Sequence, residues 1–229
     1  MMSVTEEFTG FPEEGLAFLA TLGTKNKAWF DKNRDVYDRL VVPPAKAFVV
    51  AMGEALHDQI SPAIEAQPKT NGSIAPINND LRFSPDASPY KDHLMFRFWE
   101  GPNKKVAPML MIRMSPADGV GFASGMFLSD LDLWRSKIDE DTTGKSFAAE
   151  LAKLVKATKA EVAGEGLKRV PKPYAEDHPR GELLRHKGFQ VRWIEDTPKS
   201  ITSARFVDWC ATRFNKAAGV HHWLVENMV

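Results

Sequence analysis

The stretch Leu94-Met95-Phe96-Arg97-Phe98-Trp99-Glu100-Gly101-Pro102-Asn103 decides the fold class. Leu94, Phe96 and Phe98 alternate with His93, Met95, Arg97 and Trp99, the period-two pattern of a strand with two faces. Gly101-Pro102-Asn103 marks a turn, after which Val106 to Met114 alternates again. Ser115-Pro116-Ala117-Asp118-Gly119 makes a second turn, and Val120 to Leu128 supplies a third strand. Three strands joined by short turns read as an antiparallel meander.

Helical spacing takes over on both sides of the meander. Leu16, Leu19 and Leu22 repeat up to Gly23 behind a helix-starting Pro12. Trp29, Phe30, Tyr37 and Leu40 suggest a second helix that stops before Pro43-Pro44, where a third begins and buries Phe48, Val49, Met52, Leu56 and Ile60. Residues 61–73 read as a loop. Downstream, Ser129-Asp130 caps a helix carrying Leu131, Trp134 and Ile138, and Phe147, Leu151, Leu154 and Val155 mark another. A short strand at Phe189–Ile194 precedes a terminal helical region with Phe206, Val207, Cys210 and Phe214. Helices, then strands, then helices again predict an α+β fold with a central antiparallel sheet flanked by helices from both chain ends. No linker is long enough to force a boundary, so residues 1–229 are expected to form one domain.

Thirty basic and thirty acidic residues cancel over 229 positions, so no global field draws the chain to nucleic acid or anionic membrane. The apolar runs are shorter than the ~20 residues that span a bilayer. Glu6 and Glu7 follow the start without the basic-then-apolar pattern of a signal peptide. The single Cys210 excludes an internal disulfide and fits a cytoplasmic location.

Function is sought in Asp80-Leu81-Arg82-Phe83-Ser84-Pro85-Asp86-Ala87-Ser88-Pro89-Tyr90-Lys91, which places two carboxylates, two cations and a phenol between prolines that restrict the backbone. Other motifs fail on inspection. Gly144-Lys145-Ser146 lacks the first glycine of a phosphate loop, since position 139 is Asp. Ser88-Pro89-Tyr90-Lys91 has the serine-x-x-lysine form without its companion motifs, and Ser124 sits one place too late for a nucleophile elbow. No pair of the six histidines has the one-face spacing of a metal-binding helix, so no metal and no cofactor are expected. Cys210 among Phe206, Trp209 and Phe214 reads as a buried thiol. Lys153, Lys156, Lys159, Lys168, Arg169 and Lys172, with Trp193 as a stacking ring, could suggest nucleic-acid binding, but a solvated helix face explains the lysines equally well. Trp223 reads as either core or an exposed aromatic patch.

Asp80, Arg82, Phe83, Asp86, Pro89, Tyr90 and Lys91 match a hallmark of the form R-x-x-R-D-x-R-F followed by D-K-x-P-Y-K. Asn26, Trp29-Phe30, Asn33, Arg34 and Tyr37 match upstream. Downstream, Gly121 to Phe127, Arg135, Ile138, Pro171, His178-Pro179 and Leu183-Leu184 match in order. On these residues the chain resembles, nearly end to end, the bacterial and fungal family catalogued as domain of unknown function 2461. The resemblance implies a fold and a name but no activity. Three cations of the pattern are replaced, by Pro76, Asn79 and Ala87, and each cation lost from an anion site would remove a charge-assisted bond of ~1.5–3 kcal/mol.

Two readings of the segment follow. In one it is a structural ion-pair loop, with Asp80 paired to Arg82 and Asp86 to Lys91, or an element that faces a partner. In the other, Asp80, Arg82, Asp86, Tyr90 and Lys91, joined by Arg135 or Arg113, line a pocket or enzyme site for a small anion such as a phosphate or carboxylate. The ion-pair reading is the first expectation, because such networks are common outside active sites.

Overall fold

The strands β1 (Ile64–Glu65), β2 (Leu94–Glu100), β3 (Met109–Ser115), β4 (Gly119–Phe127), β5 (Glu161–Ala163) and β6 (Gly188–Glu195) form one antiparallel sheet in the order β1-β2-β3-β4-β6-β5. The computed structural model describes residues 7–82 and 88–229. The meander β2-β3-β4 stands where the alternation placed it. Gly119 closes its second turn at φ +98, a backbone conformation that a side chain disfavours. β5 and β6 pair antiparallel with Glu161 opposite Arg192, and the two side chains form an ion pair at 3.2 Å. β1 falls inside the expected 61–73 loop, and β5 was not anticipated. Two or three residues are too few to show a period of two.

Helices α1 (Glu13–Leu22), α2 (Lys27–Lys32), α3 (Arg34–Leu40), α4 (Val42–Gln59), α5 (Leu131–Asp139), α6 (Asp141–Thr158), α7 (Gly181–Leu184) and α8 (Arg205–Met228) supply the remainder. Their caps are legible in the sequence. Asp130 Oδ1 accepts the Leu133 N–H at 2.8 Å, and Asn26 Oδ1 accepts the Trp29 N–H at 2.9 Å. The single helix expected to carry Trp29 through Leu40 is in fact two. Asn33 breaks it by turning its Nδ2 back to the Trp29 carbonyl at 2.8 Å, the local competition with the backbone that makes asparagine a poor helix-interior residue.

An 18-residue window within Arg34–Gln59 reaches a mean hydropathy of 1.2, enough by length and composition alone to cross a membrane. The uninterrupted apolar runs there stay short, interrupted by Lys46 and Glu54. The segment is broken at Val41, and α4 turns Phe48, Val49, Met52 and Leu56 into a protein core.

By its contacts the chain divides into two compact units: 1–98 with 111–121 and 194–213, and 99–110 with 122–193 and 214–229. In the first, Phe48 meets the rings of Phe8, Phe11, Phe96 and Phe206 at centroid distances of 4.9 to 5.6 Å. Helices from both chain ends therefore pack on the strand residue Phe96, as the α+β reading requires. Cys210 is buried there, and desolvation pushes its thiol pKa well up, so it behaves as an inert core group. In the second unit Trp134, Phe147, Phe189 and Trp223 cluster, and the Trp134 Nε1 donates to the Leu183 carbonyl at 2.8 Å. Trp223 is thus core. Trp193 lies stacked on Phe122 at 5.4 Å with little exposure, which removes it as a platform for a base.

Candidate functional site

Segment 80–91 is anchored at its two ends. The Asn79 N–H donates to the Pro89 carbonyl at 2.9 Å, the Lys91 N–H to the Ile77 carbonyl at 2.8 Å, and Asn79 Nδ2 to the Ser88 carbonyl at 2.8 Å. Lys91 reaches across this base, its Nζ donating to the Pro76 carbonyl at 2.7 Å and to the Asn78 carbonyl. Burial and the neighbouring Arg97 lower its pKa, both acting against the charged form. Two of the three positions that depart from the family hallmark, Pro76 and Asn79, thus contribute directly to closing the loop.

Above that base the chain turns outward. Arg82 grips Asp80 in a bidentate pair, Nε to Oδ1 at 2.9 Å and NH2 to Oδ2 at 2.6 Å, while the Arg82 side chain remains 80% exposed. The Arg82 hydrogen bonds hold the Asp80 carboxyl below its ordinary pKa. Leu81 between them is also exposed. Asp86, with Phe83 and Ala87, lies outside the described residues, as does the expected Asp86–Lys91 pair.

Tyr90 faces the other way. It is buried and stacked on Phe30 at 4.4 Å; Phe30 touches Tyr37 edge-on at 5.5 Å and carries the Arg34 guanidinium over its face at 5.0 Å. The upstream family residues Phe30, Arg34 and Tyr37 therefore meet the hallmark tyrosine in space. Burial raises the pKa of both tyrosines, first among their causes, so each phenol stays protonated as a donor.

Directly after Lys91 comes a network that residue spacing alone did not single out. His93 Nδ1 lies 2.9 Å from Asp92 Oδ1, and Arg113 NH2 reaches Asp118 Oδ2 at 2.9 Å and Asp92 Oδ1 at 3.8 Å. Ser115 Oγ donates to Asp118 at 3.2 Å. Burial lowers the His93 pKa, with Asp92 opposing, so the ring is neutral near pH 7 and its second nitrogen could accept a proton. The adjacency Asp92-His93 was the available signal; Arg113 and Asp118 come together only through the β3–β4 turn.

Arg135 belongs to the other unit. Its NH1 lies 3.9 Å from Asp132 Oδ1, a loose contact, and its Nε is buried without a hydrogen-bond partner. Nearby, His178 Nδ1 accepts the Arg180 N–H at 3.1 Å while Nε2 faces Asp139 Oδ1 at 3.2 Å, so both ring nitrogens are occupied. Arg180 itself is buried and caps the end of α5, donating to the carbonyls of Ile138 at 2.6 Å and Asp139 at 2.8 Å. Among the described residues no group of His, Cys, Asp and Glu is arranged to hold a metal ion.

The second unit also buries an ionisable pair, His221 Nε2 at 3.1 Å from Glu100 Oε2, with the His221 ring fully enclosed. Desolvation pushes the His221 pKa down, and its bond to Glu100 offsets this only in part. An unfolded chain then takes up a proton near pH 6.5 that the folded chain refuses. The stability associated with His221 is present above that pH and is lost as pH falls towards the folded pKa. His93 and His186, both lowered by burial, act in the same direction. Denaturant midpoints should therefore decline on acidification through that range, and more shallowly in His221→Gln. An equally steep decline in the variant would remove His221 from the account.

These features define an α+β protein in which segment 80–91 is anchored at both ends and exposes Leu81 and Arg82. The chain belongs to the family described as Conserved hypothetical protein (DUF2461), whose model matches residues 14–223, and that membership brings no reaction with it. No curated protein and no solved structure matches the chain.

Proposed function

We propose that this protein acts by binding a macromolecular partner through the exposed Leu81–Arg82 part of the 80–91 segment, the described residues at its two ends being scaffold. The observation that carries this reading is the Lys91 ammonium, which is spent on the Pro76 and Asn78 carbonyls within the loop base. Tyr90 is stacked away in the core, and Arg82 and Asp80 satisfy each other in solvent. A small anion would need those donors free and converging in a recess, whereas a partner needs exposed side chains on a fixed base, which Leu81 and Arg82 supply.

The test compares two substitutions. Lys91→Met should lower the melting temperature by about 3–6 °C, reflecting roughly 1.5 kcal/mol of lost charge-assisted hydrogen bonding. Arg82→Ala should change stability by less than about 0.5 kcal/mol, as expected for an exposed ion pair. A photo-crosslinker at position 81 should capture a discrete adduct in cells, with none from position 153 on the solvated face of α6. Phosphate or carboxylate stabilisation abolished by Arg82→Ala would replace this proposal with an anion pocket at the loop.

We further propose that residues 1–229 fold as one domain in a reducing cytoplasm. Neither unit is a continuous segment, the chain passing from one to the other at 98/99, 110/111, 121/122, 193/194 and 213/214. The lone free Cys210 supports the location.

A further inference from the structure

Between β6 and α8 the chain makes a short 3-10 turn at Lys199–Thr202 and then enters the 24-residue helix α8 at Arg205. This junction opens a cleft of about 630 Å³ lined by Lys199, Ser200, Thr202, Ser203, Arg205, Asp208 and Trp209.

Three independent features of the cleft favour a negatively charged occupant. First, neither Lys199 nor Arg205 makes an ion pair with any described residue, so two full positive charges face the opening against the single carboxylate of Asp208. Second, the start of a long helix adds its own positive end, with the Phe206 and Val207 N–H groups already donating to the Ser203 and Ala204 carbonyls at 3.1 Å. Third, Ser200 Oγ is buried against the cleft wall without a hydrogen-bond partner, an uncompensated polar group that a ligand oxygen could satisfy after a rotation about χ1.

The walls are held in place. The Phe11 N–H donates to the Ile201 carbonyl at 2.9 Å, and Gly10 packs so closely on the Thr202 backbone that an added Cβ would lie 2.2 Å from its carbonyl carbon. Trp209 is clamped between Phe206, stacked at 5.7 Å, and the Arg213 guanidinium at 3.9 Å, so it presents an edge rather than a face. Arg213 is in turn tied to Glu195 at 3.0 Å. A preorganised wall loses little entropy on binding.

We propose that this cleft binds the phosphate group of a small organic molecule. Lys199 and Arg205 supply the charge, the hydroxyls of Ser200 and Thr202 supply donors, and the Trp209 edge lies against the organic portion. The Thr202 hydroxyl is held only at 3.5 Å by the Lys199 carbonyl, whereas the Ser203 hydroxyl is taken by the Ser200 carbonyl at 3.0 Å. The volume falls in the range of small-molecule sites and far exceeds a bare phosphate ion, which is why an organic phosphate is named. With both faces of Trp209 covered, a base cannot stack there, and the site is not a nucleobase platform.

The proposal is independent of the 80–91 loop, and its test separates the two. Melting temperature would be followed against inorganic phosphate and glycerol 3-phosphate, with sodium chloride at matched ionic strength as control. Wild type, Lys199→Gln, Arg205→Gln and Arg82→Ala would be compared. Lys199 and Arg205 are exposed, so their variants should fold as wild type does. The expected result is stabilisation by both phosphates beyond the chloride control, with glycerol 3-phosphate the more effective. Affinity should fall about tenfold in each cleft variant, corresponding to the loss of one charge-assisted contact, and be unchanged in Arg82→Ala. No effect beyond chloride, or equal responses in wild type and both cleft variants, overturns the proposal. Loss of the response only in Arg82→Ala would move the anion to the loop and overturn both readings.

Discussion

Phe48→Ala is expected to destabilise the protein by about 3–5 kcal/mol, the cost of removing a fully enclosed aromatic side chain together with the cavity it leaves. Phe48 has no exposed surface and touches four other rings: Phe8, Phe11, Phe96 and Phe206. These come from the N-terminal segment, β2 and α8, so no single neighbour can move in to fill the gap without disturbing another element. For a chain of this size the melting temperature should fall by roughly 6–20 °C. Phe48→Leu, which restores much of the volume, should recover more than half of that loss. A Phe48→Ala protein melting within about 2 °C of wild type would show that the ring cluster relaxes freely and contributes little.

Trp134→Ala should be at least as costly in the second unit. Its indole is fully buried, meets Phe147 and Trp223 edge-on at 5.4 and 5.9 Å, and lies 5.6 Å from Phe189. The substitution opens a large cavity and also leaves the Leu183 carbonyl without its donor, so the expected loss is about 4–6 kcal/mol once the unsatisfied acceptor is included. That is a large share of the 5–15 kcal/mol of a typical domain, and the variant should be partly unfolded at 37 °C. Trp134→Phe keeps most of the packing and isolates the hydrogen bond, with an expected cost of about 1–3 kcal/mol. Calorimetry of the two alanine variants also tests the single-domain proposal. Each should shift one common transition, and two transitions moved separately would refute it.

Much of the architecture was legible because it rests on local chemistry. The alternation through Leu94, Phe96 and Phe98, the Gly119 turn, the Asp130 cap and the Pro43-Pro44 helix start act over a few residues. The family hallmark within 80–91 was legible too, since its prolines and charges are adjacent in sequence. The break at Asn33 was missed because apolar spacing ignores what a polar side chain does to its own backbone. Arg113 and Asp118 were not linked to Asp92-His93, because their meeting depends on a turn between two strands.

The fate of individual charges was the least legible. Lys91 could equally have faced an incoming anion, and only the fold shows two backbone carbonyls placed under its ammonium. Tyr90 could have donated into a pocket, yet it lies against Phe30, sixty residues earlier in the chain. The cleft at Lys199–Trp209 has no motif at all; it exists because a 3-10 turn meets a long helix beside an anchored N-terminal segment.

By itself, then, the sequence determined the α+β class, the meander, several helix ends and the membership of the family. Those depend on periodicity and on single-residue backbone preferences. The tertiary structure decided which charged groups are spent internally and which face solvent. Pairing, burial and desolvation are set by residues distant in sequence, and spacing along the chain does not encode them.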